Sequence, residues 1–245
     1  MDAVSSTNDY AKSLAIAGAE EGTLVVADHQ TAGRGSGDRQ WLSPPRTGIC
    51  LSFVLIPSFK PYQARELTML VAYSIAVVLR ETYGIPAMLK WPNDIMVQGK
   101  KIAGVLSEPC VAHDTIRYMV IGMGMNVHTR QFPPELKDIA TSLHREGGGP
   151  FDRIDLIADC LKRIEQDYAG YGAKGSLEHI IPAYDALLIH RNQQIRLVTR
   201  THDQGVLSKG INRHGELQVQ DLDGSIRSIS LGAVSVRGAF KYWQW

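Results

Sequence analysis

Residues 88–108 read Met-Leu-Lys-Trp-Pro-Asn-Asp-Ile-Met-Val-Gln-Gly-Lys-Lys-Ile-Ala-Gly-Val-Leu-Ser-Glu. Three short apolar runs, Met88 to Trp91, Ile95 to Val97 and Ile102 to Glu108, have the length of strands. Pro92-Asn93-Asp94 is turn chemistry and joins the first two. That leaves Lys90 and Trp91, at the end of the first strand, without a turn-based reason. Gly104 interrupts the third run, and glycine weakens a strand unless something approaches its backbone closely. Lys101, a few residues earlier, could contact a carboxylate or phosphate lying over that glycine. Lysines guarding a sheet edge against aggregation give the same pattern.

Outward from this stretch, Arg117 to Val127, Ile49 to Ile56 and Thr23 to Ala27 are further strand candidates. Gly122 and Gly124 share one face of the first of these, which leaves a flat floor for a planar ligand or for a packed helix. Asn126 ends that strand, placed to reach a nucleotide or to cap the turn. Helices are expected over 9–20 after the capping cluster Ser5-Ser6-Thr7-Asn8, and over 65–83, where Leu67, Leu70, Val71, Ile75, Val78 and Leu79 keep helical spacing. Another follows the glycines at 147–149, with Ile154, Ile157, Leu161, Ile164 and Tyr168 as its apolar stripe. A helix over 176–189 is expected to be kinked or split by Pro182. After His190 the period changes to two, with Ile195, Leu197, Leu217, Val219, Val234 and Val236 and a hairpin signal at Asp223-Gly224. The pattern is an α+β domain followed by a small all-β domain, with the boundary near residue 190.

Between the first and second strand candidates from the N-terminus lies Thr31-Ala-Gly-Arg-Gly-Ser-Gly-Asp-Arg-Gln-Trp41. Gly33, Gly35 and Gly37 would permit positive φ and expose N–H groups, and Arg34 and Arg39 add forked cations. The combination suits an anionic ligand, or a solvated surface loop. It lacks the Gly-Lys-Ser/Thr of a P-loop and the spacing of a dinucleotide fingerprint. Composition narrows the class. The 245 residues are 44% hydrophobic and 21% charged, with 26 basic and 25 acidic side chains for a net +1. That balance signals neither a nucleic-acid nor a membrane-surface partner. No apolar run is long enough to span a bilayer and no signal peptide is visible. Cys50, Cys110 and Cys160 form no disulfide or metal framework, and the eight histidines make no ligand pattern. Trp243 and Trp245 read as hydrophobic closure.

The order of these elements carries more than any one of them. Ser6-Thr-Asn8, Gln30-Thr-Ala-Gly-Arg-Gly35 with a following Trp41, Lys90-Trp-Pro-Asn-Asp94, Lys101-Ile-Ala-Gly-Val-Leu-x-Glu108 and Gly122-x-Gly-x-Asn126 closely resemble the biotin protein ligases, the biotin–acetyl-CoA-carboxylase ligases. The resemblance runs from Val4 to Arg237. It implies a mixed sheet with helices on one side, of the class II synthetase-like type, over residues 1–190. A small SH3-like β-barrel over 191–245 would follow. It implies ATP-dependent formation of biotinyl-5′-adenylate and transfer of biotin to a lysine of a biotin carboxyl carrier domain. Biotin and ATP would be substrates, with Mg2+ carried on the ATP and no metal site of the protein's own. The setting would be cytoplasmic, with no nucleic acid and no membrane; an exposed edge strand would serve a homodimer. With Ser-Thr-Asn beginning at residue 6, no helix-turn-helix DNA reader is expected before it.

By family position, Ser6, Thr7 and Gln30 would hold the ureido ring, and Gly33, Gly104, Gly122 and Gly124 would admit the bicyclic ring and its chain. Arg34 and Lys101 would meet the biotin carboxylate and the α-phosphate. Gly35, Ser36, Arg39, Trp41, Asn93 and Asn126 would line the adenylate, with the loop from His128 to Leu143 closing over adenine through Phe132-Pro133-Pro134. Asp94, with Lys90 near it, would handle the incoming lysine or organise the metal. Two departures stand out. Ser36 occupies a position where the family usually has Arg, which would weaken retention of the adenylate. The chain begins five residues before Ser6, so the leading strand would be shortened or another segment would fill that edge. A lipoate ligase or octanoyl transferase shares the fold, although the Gly-Arg-Gly and Lys-Trp-Pro-Asn-Asp elements argue against it. A non-catalytic biotin-binding regulator is the alternative of a different class.

Overall fold

The computed structural model describes residues 1–238 except 38, 200 and 233. Trp243 and Trp245 lie outside the described residues. In chain order the elements are β1 (Ala3–Val4), α1 (Thr7–Ile16), β2 (Leu24–Ala27), β3 (His29–Gln30), β4 (Gly48–Leu55), α2 (Ala64–Glu81), β5 (Met88–Lys90), β6 (Asp94–Val97), β7 (Lys100–Ala112) and β8 (Thr115–Asn126). There follow α3 (Leu143–Gly147), α4 (Arg153–Lys174), α5 (Ile181–Leu187), β9 (Gln194–Val198), β10 (Asp203–Ile211), β11 (Leu217–Gln220), β12 (Ile226–Ile229) and β13 (Ser235–Gly238).

The central sheet has the order β2-β4-β8-β7-β6-β5, and every neighbouring pair in it is antiparallel. Among the described residues, parallel pairing is confined to the short β1–β3 ladder and to bridges such as Lys101 with Ala140. The leading strand is Ala3–Val4, paired with His29–Gln30 just before the glycine loop and not at the edge of the main sheet. β7 and β8 run longer than the sequence suggests. Pro109 falls in the middle of β7, and the two-residue turn at His113 and Asp114 has positive φ at both positions. That conformation matches the right-handed strand twist, but it is spelled here without the usual glycine.

All eight residues of β4 are buried, because both faces of the sheet are covered. Ile49, Leu51, Phe53 and Leu55 face the core with α2 and α4, while Val54 packs with Ala11 of α1 and Val25 of β2. The expected placement of helices on one side therefore holds for α2 and α4, whereas α1 lies on the opposite face. α1 is a short polar helix, capped by Ser6 Oγ accepting from Asp9 N at 3.4 Å, and it shields only part of that face. The rest of the face is left for the site.

Two helix expectations are corrected. In α4 the fully buried line is Leu156, Cys160, Ile164 and Tyr171, while Ile154 is 75% exposed. Adjacent stripes on one helix share the same spacing, and packing against α2 selects between them; Tyr171 Oη donates to Glu66 of α2 at 2.7 Å. Pro182 does not kink a helix but opens α5, where its missing N–H has no partner to lose. The second sheet has the order β12-β11-β10-β9-β13, all antiparallel, with Ile195, Leu197, Leu217, Val219 and Val236 buried as their period implies. It is pinned to the first body at Trp91, whose Nε1 donates to Gly215 O at 2.9 Å and whose backbone N donates to His190 Nε2 at 3.2 Å. Burial, with the nearby Lys90 charge, pushes His190 down to about 3, so it serves there as a neutral acceptor. No helix among the described residues is long and apolar enough to cross a membrane.

Candidate functional site

Two adjoining cavities open on the α1 face of the central sheet. The register sets Gly104 opposite Gly124, and Gly122 two residues along, so three side-chain-free positions form one patch of floor. The inner cavity, of about 40 Å³, is walled by Ser6 and Thr7 at the start of α1, Gln30 at the end of β3, Arg34, Gly35, Ser36 and Trp41 of the glycine loop, and Asn93 and Lys101. The outer one, of about 660 Å³, is bounded by Gly33, Arg39, Lys90, Asp94 and Asn126, and by Phe132 and Pro133 of the 128–143 loop. Of the residues given a ligand contact by family position, all but Pro134 line one or both; Gly37 and Trp91 line neither.

The floor is tightly covered. A Cβ at Gly124 would run into the Trp41 indole, one at Gly122 into Asn8 Oδ1, and one at Gly104 would lie 2.7 Å from Lys101 Nζ. The glycine loop differs from its expected form. Among its glycines only Gly37 has positive φ; Gly35 donates its N–H to Arg39 O at 2.7 Å, and Trp41 N donates to Gly33 O at 2.9 Å. Arg34 bridges Gln40, so the loop is a narrow hairpin, in which glycines are needed for close backbone approach more than for open N–H groups.

The charges fall into two groups. Lys101 Nζ lies 2.5 Å from Asp94 Oδ1, with Lys90 Nζ 3.9 Å from Asp94 Oδ2. Burial alone would raise the Asp94 pKa, but the two lysines and the Lys101 hydrogen bond hold it below the usual carboxylate value. Burial, opposed by Asp94 and assisted by Lys101 and Arg39, lowers Lys90 to about 8. Lys101 also stands 5.6 Å over the Trp41 ring. Arg34, expected to share an anion with Lys101, is instead paired to Glu108 at 2.6 Å and Asp9 at 2.8 Å. Asp9 lies in the first turn of α1 and Glu108 on β7, four residues past the Gly104 that pairs with Asp94. Asn93 is committed to β7, donating to Val105 O at 2.6 Å, and Asn126 donates to Thr141 O at 3.0 Å.

Two polar residues given no role from the sequence, Glu108 and Ser52, belong to this site, together with Asn8, which the sequence places in the capping cluster. Glu108 accepts from Lys12 at 2.5 Å and from Asn8 at 2.7 Å, besides Arg34. Ser52 of β4 contacts both Thr7 and Asn8. Asn8 and Glu108 each end a quoted motif, so their position was visible, while Ser52 sits in an apolar run with no signal. Burial raises the Glu108 pKa, yet the hydrogen bonds from Lys12 and Asn8 and the charges of Lys12 and Arg34 leave it net below its ordinary value. Its network therefore stabilises fully above the unfolded carboxylate value and loses that contribution as pH falls through the folded one. Thermal midpoints followed from about pH 6 to about pH 3 are expected to fall less steeply in Glu108→Gln than in the wild type.

The fold and this site define a ligase class. A family model described as the biotin/lipoate A/B protein ligase family matches residues 1–126, and the chain belongs to that family. A bifunctional ligase/repressor BirA of Bacillus subtilis is 39% identical over 227 residues, covering 91% of this chain and 69% of that protein. A biotin–[acetyl-CoA-carboxylase] ligase of Mycobacterium tuberculosis is 34% identical over 165 residues, covering 65% and 59%. A solved biotin protein ligase from Aquifex aeolicus, in complex with biotin and ATP, superposes with a TM-score of 0.86 at 30% identity, over 98% of this chain and 97% of that one.

Proposed function

We propose that this chain activates biotin with ATP and joins it to a lysine of a biotin carrier domain. One observation carries the reading: Lys101 lines both cavities, so a reaction at their boundary meets one cation from either side. Biotin would lie along the inner cavity once the Trp41 indole that covers Gly124 gives way, its ring held by Ser6, Thr7 and Gln30. ATP would fill the outer one, between Trp41, Arg39, Asn126 and the Phe132 loop. A biotin carboxylate oxygen attacks the α-phosphorus as the bond to pyrophosphate breaks. Lys101 offsets the charge that builds there. The acceptor amine then attacks the acyl carbon, and the bond to AMP breaks as the amine loses a proton.

We assign the Lys90–Asp94 pair to the incoming lysine. Two ammonium groups already face Asp94, a donor set that disfavours a metal there. Mg2+ would come with the phosphates. Residues 1–190 would form the catalytic domain and 191–245 the SH3-like one, in a cytoplasmic enzyme. The edge strand β2, with Leu24 40% exposed, would support a homodimer, which sedimentation checks.

ATP–pyrophosphate exchange, run with biotin and separately with lipoate, tests the reading. Exchange with biotin is expected. Exchange with lipoate alone would move the enzyme to the lipoate branch, and exchange with neither would leave a binding module. Ser36 gives a second test within the same reading. A guanidinium there would add a cation shared by both cavities, so Ser36→Arg is expected to slow release of the adenylate. Equal off-rates for variant and wild type would refute that role.

A further inference from the structure

The blind end of the inner cavity contains a chain of hydrogen bonds whose direction is set from one end. Asn8 Nδ2 lies 2.7 Å from Glu108 Oε2, and an ionised carboxylate only accepts, so the amide nitrogen must face Glu108. Asn8 Oδ1 then faces Ser52 Oγ at 2.6 Å and, as a carbonyl, must receive the Ser52 proton. Ser52 has one proton. Its second contact, 2.8 Å to Thr7 Oγ1, can be made only by the Thr7 proton, if that proton is not given to Gln30 Oε1 at 3.0 Å. In either arrangement nothing in the chain donates to Thr7 Oγ1. Ser52 and Asn8 are 0% and 4% exposed, so bulk water does not reset the order.

We propose that Glu108 is a positioning residue which, through Asn8 and Ser52, presents the Thr7 hydroxyl as an acceptor for a ring N–H of the ligand. The inference deepens the ligase reading and rests on it for the identity of that ligand. It explains why a carboxylate outside both cavities is tied so closely to the first turn of α1. It also separates two jobs of Glu108. The bond to Asn8 sets proton order, whereas the pairs with Lys12 and Arg34 hold α1 and the glycine loop to β7. The low pKa of Glu108 keeps it ionised and hence an acceptor. With no acceptor at 108, Asn8 is free to turn over. Its nitrogen would then face Ser52, the Ser52 proton would pass to Thr7, and the ligand N–H would lose a lone pair.

Calorimetric titration of the full chain with biotin, without ATP, reads this directly. Glu108→Met is expected to weaken biotin binding by about 10-fold or more. Glu108→Gln is expected to recover most of that loss, because its amide oxygen can still face Asn8 although the charge is gone. Lys12→Met removes an equally close partner of Glu108 and leaves the Asn8 bond, so its affinity is expected to stay within about 2-fold of wild type. Asn8→Leu removes the carbonyl that receives the Ser52 proton, which then turns to Thr7, so it is expected to match Glu108→Met and keeps the test available if that variant does not fold. Equal losses in the Met and Gln variants, a loss in Lys12→Met as large as that in Glu108→Met, or full affinity in Asn8→Leu would each overturn the proposal. A wild-type chain that binds no biotin would overturn the ligase reading itself, and that outcome precedes any variant.

Discussion

Lys101→Met is expected to lower biotin-dependent ATP–pyrophosphate exchange by about 10²–10³-fold, the size typical for a lost donor at a developing charge. Lys101 lines both cavities, stands over the Trp41 ring, and reaches Asp94 Oδ1 at 2.5 Å across the unsubstituted Gly104. The other cations cannot take its place. Arg34 is held by Glu108 and Asp9, and Lys90 and Arg39 border only the outer cavity. The loss should fall on kcat more than on the KM for biotin, since the charge being stabilised appears mainly as the reaction proceeds. The variant also leaves Asp94 with Lys90 alone at 3.9 Å, so its thermal midpoint should drop as well. Steady-state exchange at saturating biotin, read beside the melting curve, separates the two effects. An exchange rate within about threefold of wild type would remove Lys101 from the reacting centre.

Gly122→Val is expected to abolish measurable biotin binding, a loss of about 100-fold or more, at a stability cost of about 1–3 kcal/mol. A Cβ there overlaps Asn8 Oδ1, and Asn8 has no room to yield, being held by Ser52 at 2.6 Å and Glu108 at 2.7 Å. The added methyls would also stand on the floor where a bicyclic ring is to lie. Gly172→Ala supplies the contrast. In α4 a Cβ at that position meets nothing within 4 Å, and alanine favours a helix by about 0.8–1 kcal/mol. That variant should be slightly more stable and bind biotin as the wild type does. Calorimetry and thermal melting on the pair check both statements.

Which parts of this were legible in the sequence follows from the range of the interactions. The Lys90 to Glu108 stretch announces itself because turn residues, apolar runs and one misplaced glycine are local signals, and the register then sets Gly104 beside Gly124. The buried stripe of α4 was not legible, since Ile154 and Leu156 both fit helical spacing and only contact with α2 separates them. The pairing of Arg34 was hidden for the same reason. Its partners Asp9 and Glu108 are distant in sequence, and a glycine-rich loop bearing arginine looks like an anion cradle until they are seen. Ser52, inside the apolar run of β4, gave no sign at all. Its role comes from facing Thr7 and Asn8 across the α1 contact.

The proposed reaction leaves a covalent product on the carrier. The full chain is incubated with biotin, ATP and Mg2+ and an isolated biotin carrier domain, and the carrier is read by intact mass and by streptavidin. One biotin on one lysine is expected, dependent on both biotin and ATP, and greatly slowed by Lys101→Met. A carrier that stays unmodified while the chain binds biotin and ATP would contradict it.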